Sequence, residues 1–121
     1  MRTGSRPAAL ALLADAVCVT VFCTLGRRSH EEGLTATGIA HTAWPFLAGT
    51  AVGWLVARGW RRPLTLAPTG LIVWVCTVVV GMVLRKVTGQ GTATSFIVVA
   101  SVTTAVLLLG WRAAALLASR R

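Results

Sequence analysis

Apolar positions along the chain fall into four long blocks separated by short polar or basic stretches. The blocks cover 8–25, 42–60, 68–84 and 94–118. A hydrocarbon core about 30 Å thick needs roughly 20 residues of helix, so each block is close to the length of a membrane span. Pro7 and Pro68 stand at block starts, where a helix does not need the missing N–H. Trp44-Pro45-Phe46 opens the second block, and Arg58 with Arg61-Arg62 closes it. Arg85-Lys86 ends the third, and the turn Gly89-Gln90-Gly91 leads to the fourth. The longest connection, 26–41, holds His30, Glu31, Glu32 and His41. Within it Leu34, Gly38 and Ile39 carry a faint helical period, which predicts a short surface helix leading into the second span. The other two connections are tight, as between antiparallel neighbours. The expected fold is all-α, a single integral membrane domain over 1–121 built as a four-transmembrane-helix antiparallel bundle.

Composition supports this pattern. The chain of 121 residues is 55% apolar and 12% charged, whereas soluble domains run at roughly 45–50% and about 25%. Its 12 basic residues against 3 acidic ones, a net charge of +9, would suit nucleic acid if they lined one face. They sit instead in clusters between apolar blocks, which reads as membrane topology and predicts no nucleic-acid partner. With both termini cytoplasmic, that side carries Arg2, Arg6, Arg58, Arg61, Arg62, Arg112, Arg120 and Arg121, eight in all. The other side carries four: Arg27, Arg28, Arg85 and Lys86. The bias predicts an inner-membrane protein with both ends inside, and Trp60, Trp111 and Trp44 fall where interfacial aromatics belong. Asp15 inside the first block, with no small-x-small cleavage site, predicts a first span that is not removed. Cys18, Cys23 and Cys76 lie in apolar blocks without metal or redox spacing and read as packing residues.

Asp15 organises the candidate chemistry. A carboxylate in mid-span costs about 2.5–3.5 kcal/mol on insertion scales, so it needs a partner or a task. At about 1.5 Å per residue, Asp15 lies about 10 Å from the cytoplasmic end of its block, and Arg112 about 9 Å from the same end of the fourth. Arg112 shares a face with Leu108, Ala105 and Ser101, and an intramembrane pair of Asp15 with Arg112 is expected. The competing reading has Arg112 snorkelling to headgroups and Asp15 meeting water in a cleft. Trp54 and Trp74 fall near the same level and are candidates to line a cavity there; two indoles beside a carboxylate suit a cation, although tryptophans in spans more often pack or face lipid.

Gly49-x-x-x-Gly53 with Ala57 on the second span, and Gly70, Thr77, Gly81 and Arg85 on the third, give smooth faces for close helix approach, inside one bundle or between two copies. On the outer side Arg27, His30 and Arg85 form a candidate polar cluster with Glu31, Glu32 or a lipid phosphate. His30 and His41 lack helix-registered partners, so neither a metal nor a cofactor is expected. No Ser-His-Asp series, phosphate loop or catalytic carboxylate pair is present in the sequence, and no enzyme activity is expected.

These residues resemble an uncharacterised family of small prokaryotic membrane proteins, domain-of-unknown-function family 3054. The resemblance rests on Asp15, Gly26-Arg27-x-Ser29-His30, Pro45-Phe46, Gly81-Met82 with Leu84-Arg85, and Gly110-Trp111-Arg112. It implies four spans in a bacterial inner membrane and transfers no substrate. In architecture alone the chain is also similar to small multidrug-resistance transporters, which dimerise and bind protons and cationic drugs at an acid in the first span. It departs from them in its long basic first loop and in Arg112. The expected role is structural or interactive, within the lipid bilayer, with a second copy or another membrane protein as partner. The alternative is a homodimeric proton-coupled carrier of small cations in which Asp15 titrates.

Overall fold

The computed structural model describes residues 5–29 and 34–119. It contains four long helices, α1 (Ser5–Ser29), α2 (Ala36–Ala57), α3 (Leu71–Val87) and α4 (Thr94–Ser119), and a distorted turn, Leu66–Gly70, that leads into α3. Their backbones neighbour one another in a closed ring, α1 to α2 to α3 to α4 and back to α1, and side chains fill the middle, where Phe46 on α2 and Phe96 on α4 have ring centres 6.2 Å apart.

The direction of each neighbour follows from its contacts. Phe46, Gly49 and Gly53 on α2 meet Gly81, Thr77 and Val73 on α3, one number rising as the other falls. On α1, Phe22 packs on Phe46 and Asp15 reaches Trp54, while Cys18 and Asp15 reach Leu107 and Arg112 on α4. Arg85 lies over Phe96, and Trp74 bonds to Ser101. Every neighbouring pair is antiparallel.

The tightest seam is between α2 and α3, and glycine makes it possible. A Cβ on Gly49 would stand 2.5 Å from the Cys76 carbonyl oxygen, and one on Gly53 would stand 2.8 Å from the Val73 Cα. Gly49 and Gly53 are therefore spent within this chain on α3, while Gly70 and Arg85 of the third-span face turn to α4. Across the seam the hydroxyls of Thr50 and Thr77 are 2.7 Å apart. Because Thr50 donates to the Phe46 carbonyl at 3.0 Å, the proton between the two hydroxyls comes from Thr77. Gly81 leaves room for the Phe46 ring, which meets Phe22 edge-on at 5.4 Å.

Polarity is sorted from inside to outside as in lipid. Rows of apolar side chains at four-residue spacing, Val75, Val79 and Val83 on α3 and Val98, Val102 and Val106 on α4, are exposed. Asp15, Thr50, Thr77, Thr104 and Arg112 are buried. A water-soluble bundle buries its aliphatic rows and exposes its charges, so this arrangement is stable only where the surroundings are hydrocarbon. α1, α2, α4 and the segment Leu66–Val87 that contains α3 are each long and apolar enough to cross a membrane, and the molecule is a multi-pass membrane bundle.

The helix bounds differ from the expected spans most clearly at α2. The chain enters this helix at Ala36, earlier than 42, because Thr35 is extended and its side chain accepts the Gly38 N–H at 3.0 Å. The faint period at Leu34, Gly38 and Ile39 thus marks the start of α2 itself, and no separate surface helix precedes it among the described residues. Pro45, expected to open the span, lies buried within it, as membrane helices tolerate. The helix also stops before 60. Arg58 adopts the left-handed conformation (φ 51°), and the N–H groups of Arg58 and Gly59 close on the carbonyls of Leu55 and Trp54. Glycine follows the left-handed position because a Cβ on Gly59 would lie 2.6 Å from the Trp54 ring. That ring is part of the buried site.

Candidate functional site

Asp15 is positioned by a buried stripe on α1, in which Ala11, Asp15, Val19 and Cys23 recur every fourth residue. Ala100, Thr104, Leu108 and Arg112 form the matching stripe on α4. Packing the two stripes antiparallel brings the carboxylate and the guanidinium together, both 0% exposed. The contact is bidentate, with Arg112 Nη1 donating to Oδ1 and Nη2 to Oδ2, each at 2.8 Å. This parallel geometry is the strongest form of the Arg-carboxylate interaction.

Two indoles complete the carboxylate's shell. Trp111 Nε1 donates to Oδ1 at 2.9 Å and Trp54 Nε1 to Oδ2 at 2.8 Å. Each oxygen thus accepts two hydrogen bonds, which fills the roughly four acceptor directions of a carboxylate. Arg112 is satisfied in turn: Nε donates to the Pro63 carbonyl at 3.0 Å and Nη1 also to the Leu108 carbonyl at 3.2 Å. Its guanidinium carbon lies 4.6 Å from the Trp111 ring centre, a cation-π contact in a desolvated setting. The site is electrically neutral, which removes much of the penalty for placing charge in hydrocarbon.

One side-chain pair therefore binds α1, α2, α4 and the segment before α3. α3 is brought in close by Gly70, where a Cβ would lie 2.9 Å from Leu109 and 3.1 Å from Arg112 Cδ. Chemically the arrangement holds charge in place. It offers no open donor or acceptor on the carboxylate to an incoming ligand.

Trp74 lies elsewhere. Its indole donates to the Ser101 carbonyl at 3.0 Å, and Ser101 stands about 16 Å up α4 from Arg112 at helical rise. Trp74 follows Val73, whose Cα faces Gly53, so it leaves α3 near the level of Trp54, but its indole turns towards Ser101 on α4 and not towards Asp15. Trp111, which the sequence assigned to the interface, takes the position beside Asp15 instead. Its only sequence signal is adjacency to Arg112; the Pro63 carbonyl has none, since every residue carries one.

At the other end of the bundle Arg27 Nη1 donates to Thr42 Oγ1 at 3.0 Å. Arg85 donates from Nε to the Gly91 carbonyl at 2.9 Å and from Nη1 to Gln90 Oε1 at 3.0 Å, with its charge over the Phe96 ring. Both arginines line a cleft of about 270 Å³ with His41, Thr42 and Gln90. His30 lies outside the described residues, as do Glu31 and Glu32.

The fold and its neutral, buried ion pair define a small four-helix membrane protein organised around a charge clamp. The chain belongs to the family described as Protein of unknown function (DUF3054), whose model matches residues 12–115. That interval contains Asp15, Trp54, Trp111 and Arg112. No curated protein and no solved structure matches the chain.

Proposed function

We propose that this is a non-catalytic inner-membrane protein whose Asp15–Arg112 pair closes the ring of helices, in a structural or interaction role. The observation that carries the reading is the fully occupied carboxylate: two guanidinium and two indole N–H groups on one acid that is 0% exposed. A group in such a shell serves geometry, because any ligand must first displace a donor. A second copy or another membrane protein would meet the exposed valine rows of α3 and α4. Both termini are cytoplasmic by the Lys and Arg bias between the connections.

The carrier alternative requires an acid that meets its cargo, whereas Asp15 lines neither the cleft beside Arg85 nor the one beside Arg58. A hydrophobic carbodiimide, which modifies protonated carboxyls within bilayers, separates the two. Mass spectrometry should find Asp15 unmodified in the wild-type protein and modified in Arg112→Gln. Modification of the wild type that small organic cations suppress would replace the clamp by a carrier. Reporter fusions at both ends test the orientation, and a periplasmic signal from either one overturns it.

A further inference from the structure

The end of the bundle where α2 passes to α3 has a cleft of about 280 Å³ lined by Ala57, Arg58, Arg61, Arg62, Pro68 and Thr69. Three guanidinium groups border it, and no ion pair or hydrogen bond engages any of their side chains among the described residues. The whole chain has only three carboxylate side chains. Asp15, the one carboxylate side chain among the described residues, is consumed by Arg112. Among the described residues no carboxylate balances the positive charge here.

An independent observation comes from Thr69. It is 1% exposed, and its hydroxyl is the buried side-chain oxygen that has no hydrogen-bond partner among the described residues. Threonines in the spans avoid this by bonding to the carbonyl one turn back, as Thr20 does to Ala16, Thr50 to Phe46 and Thr104 to Ala100. Thr69 does not, because the extended Ala67 interrupts the turn below it. An orphaned hydroxyl in a desolvated position is destabilising unless something outside the fold satisfies it.

The cleft is also held in shape. Pro63, within its connecting loop, has its carbonyl bonded to the buried Arg112, and Thr65 accepts from Gly70 N–H through its own carbonyl at 3.0 Å. Around the loop Trp60, Leu64 and Leu66 are exposed apolar side chains, suited to the headgroup and acyl boundary. Guanidinium groups and a hydroxyl donor are the chemistry that recognises phosphate oxygens, and the apolar surround adds a place for acyl chains.

We infer that Arg58, Arg61, Arg62 and Thr69 form a binding site for the phosphate of an anionic phospholipid headgroup. The arginines supply charge and paired donors; the Thr69 hydroxyl gives its proton to a phosphate oxygen. The site does not depend on which end of the bundle is cytoplasmic or on what role the clamp serves.

The test uses the full-length protein in nanodiscs and detergent, with phosphatidylglycerol, cardiolipin, phosphatidylcholine and inorganic phosphate as probes. Native mass spectrometry and thermal shift should show retention of phosphatidylglycerol or cardiolipin, and little of phosphatidylcholine. Arg61→Gln with Arg62→Gln should weaken retention by about fivefold per arginine, whereas Arg120→Gln with Arg121→Gln, which removes equal charge, should leave it unchanged. Thr69→Val should weaken retention severalfold while its melting temperature in phosphatidylcholine stays the same or rises. Equal losses for the loop and terminal pairs would mean diffuse attraction and overturn the site. Stabilisation by inorganic phosphate equal to that by lipid would assign the cleft to a soluble anion and overturn the lipid source. Normal lipid retention in Thr69→Val would remove the hydroxyl from the site.

Discussion

Replacing Asp15 by asparagine keeps the shape of the site and removes its charge. The carboxylate accepts four N–H donors; an amide has one oxygen, so at most two of the four bonds survive. On the other side the new NH2 faces either Arg112 Nη1 with Trp111 or Arg112 Nη2 with Trp54, donor against donor. Hydrogen bonds to charged groups contribute about 1.5–3 kcal/mol each, and breaking a buried pair from one side costs about 3–5 kcal/mol because the remaining ion is uncompensated. We expect Asp15→Asn to lose about 3–5 kcal/mol of unfolding free energy, and Arg112→Gln a similar amount. The double variant carries no stranded ion and should be no less stable than either single one, giving a coupling energy of at least about 3 kcal/mol. The assay is reversible unfolding in mixed detergent micelles, followed by tryptophan fluorescence, since two of the reporting indoles bond to Asp15. A loss below about 1 kcal/mol for Asp15→Asn, or strictly additive effects in the double variant, would refute the clamp.

Three further outcomes follow from packing and backbone. Gly49→Ala forces a methyl against the Cys76 carbonyl and should cost about 1–3 kcal/mol in the same unfolding assay, whereas Gly110→Ala, which meets nothing within 4 Å, should be near neutral or stabilising. Thr50→Val and Thr77→Val should each lower stability by about 1 kcal/mol, with Thr50→Val/Thr77→Val together close to the wild type, because removing both partners strands neither. Arg58→Gly relieves a left-handed arginine and should raise stability by about 1 kcal/mol in neutral lipid; the same variant should retain less phosphatidylglycerol, an opposition that a purely structural arginine would not produce.

The number of helices, their apolar faces and the acid that needs a counter-charge are legible along the chain because each is local: twenty apolar residues in a row, a four-residue stripe, one carboxylate in hydrocarbon. Depth along regular helices is local too, which is why Asp15 and Arg112 can be put at one level by counting rise. Counting fails as soon as the backbone leaves the helix. The left-handed Arg58 ended α2 before Trp60, and level alone does not give direction: the Trp74 indole turns to Ser101 and not to Asp15. Boundaries set by capping are equally hard to see; Thr35 starts a helix that Pro45 had suggested begins later, because a buried proline within a span is tolerated in lipid.

What only the tertiary structure decided is which groups share a space when all helices are in place. An interfacial tryptophan and a site tryptophan look alike in one dimension, and the packing of α4 against α1 turned Trp111 towards Asp15. The Pro63 carbonyl became a ligand of Arg112 only because the α2–α3 connection folds over that end of the ring. The Gly49 and Gly53 face, open on sequence to a second copy, was claimed by α3 at the cost of a backbone contact too close for any other residue. Sequence by itself determined that a charge lies buried in a membrane bundle; three-dimensional packing determined its four donors, since hydrogen bonds depend on distance and direction between segments far apart in the chain.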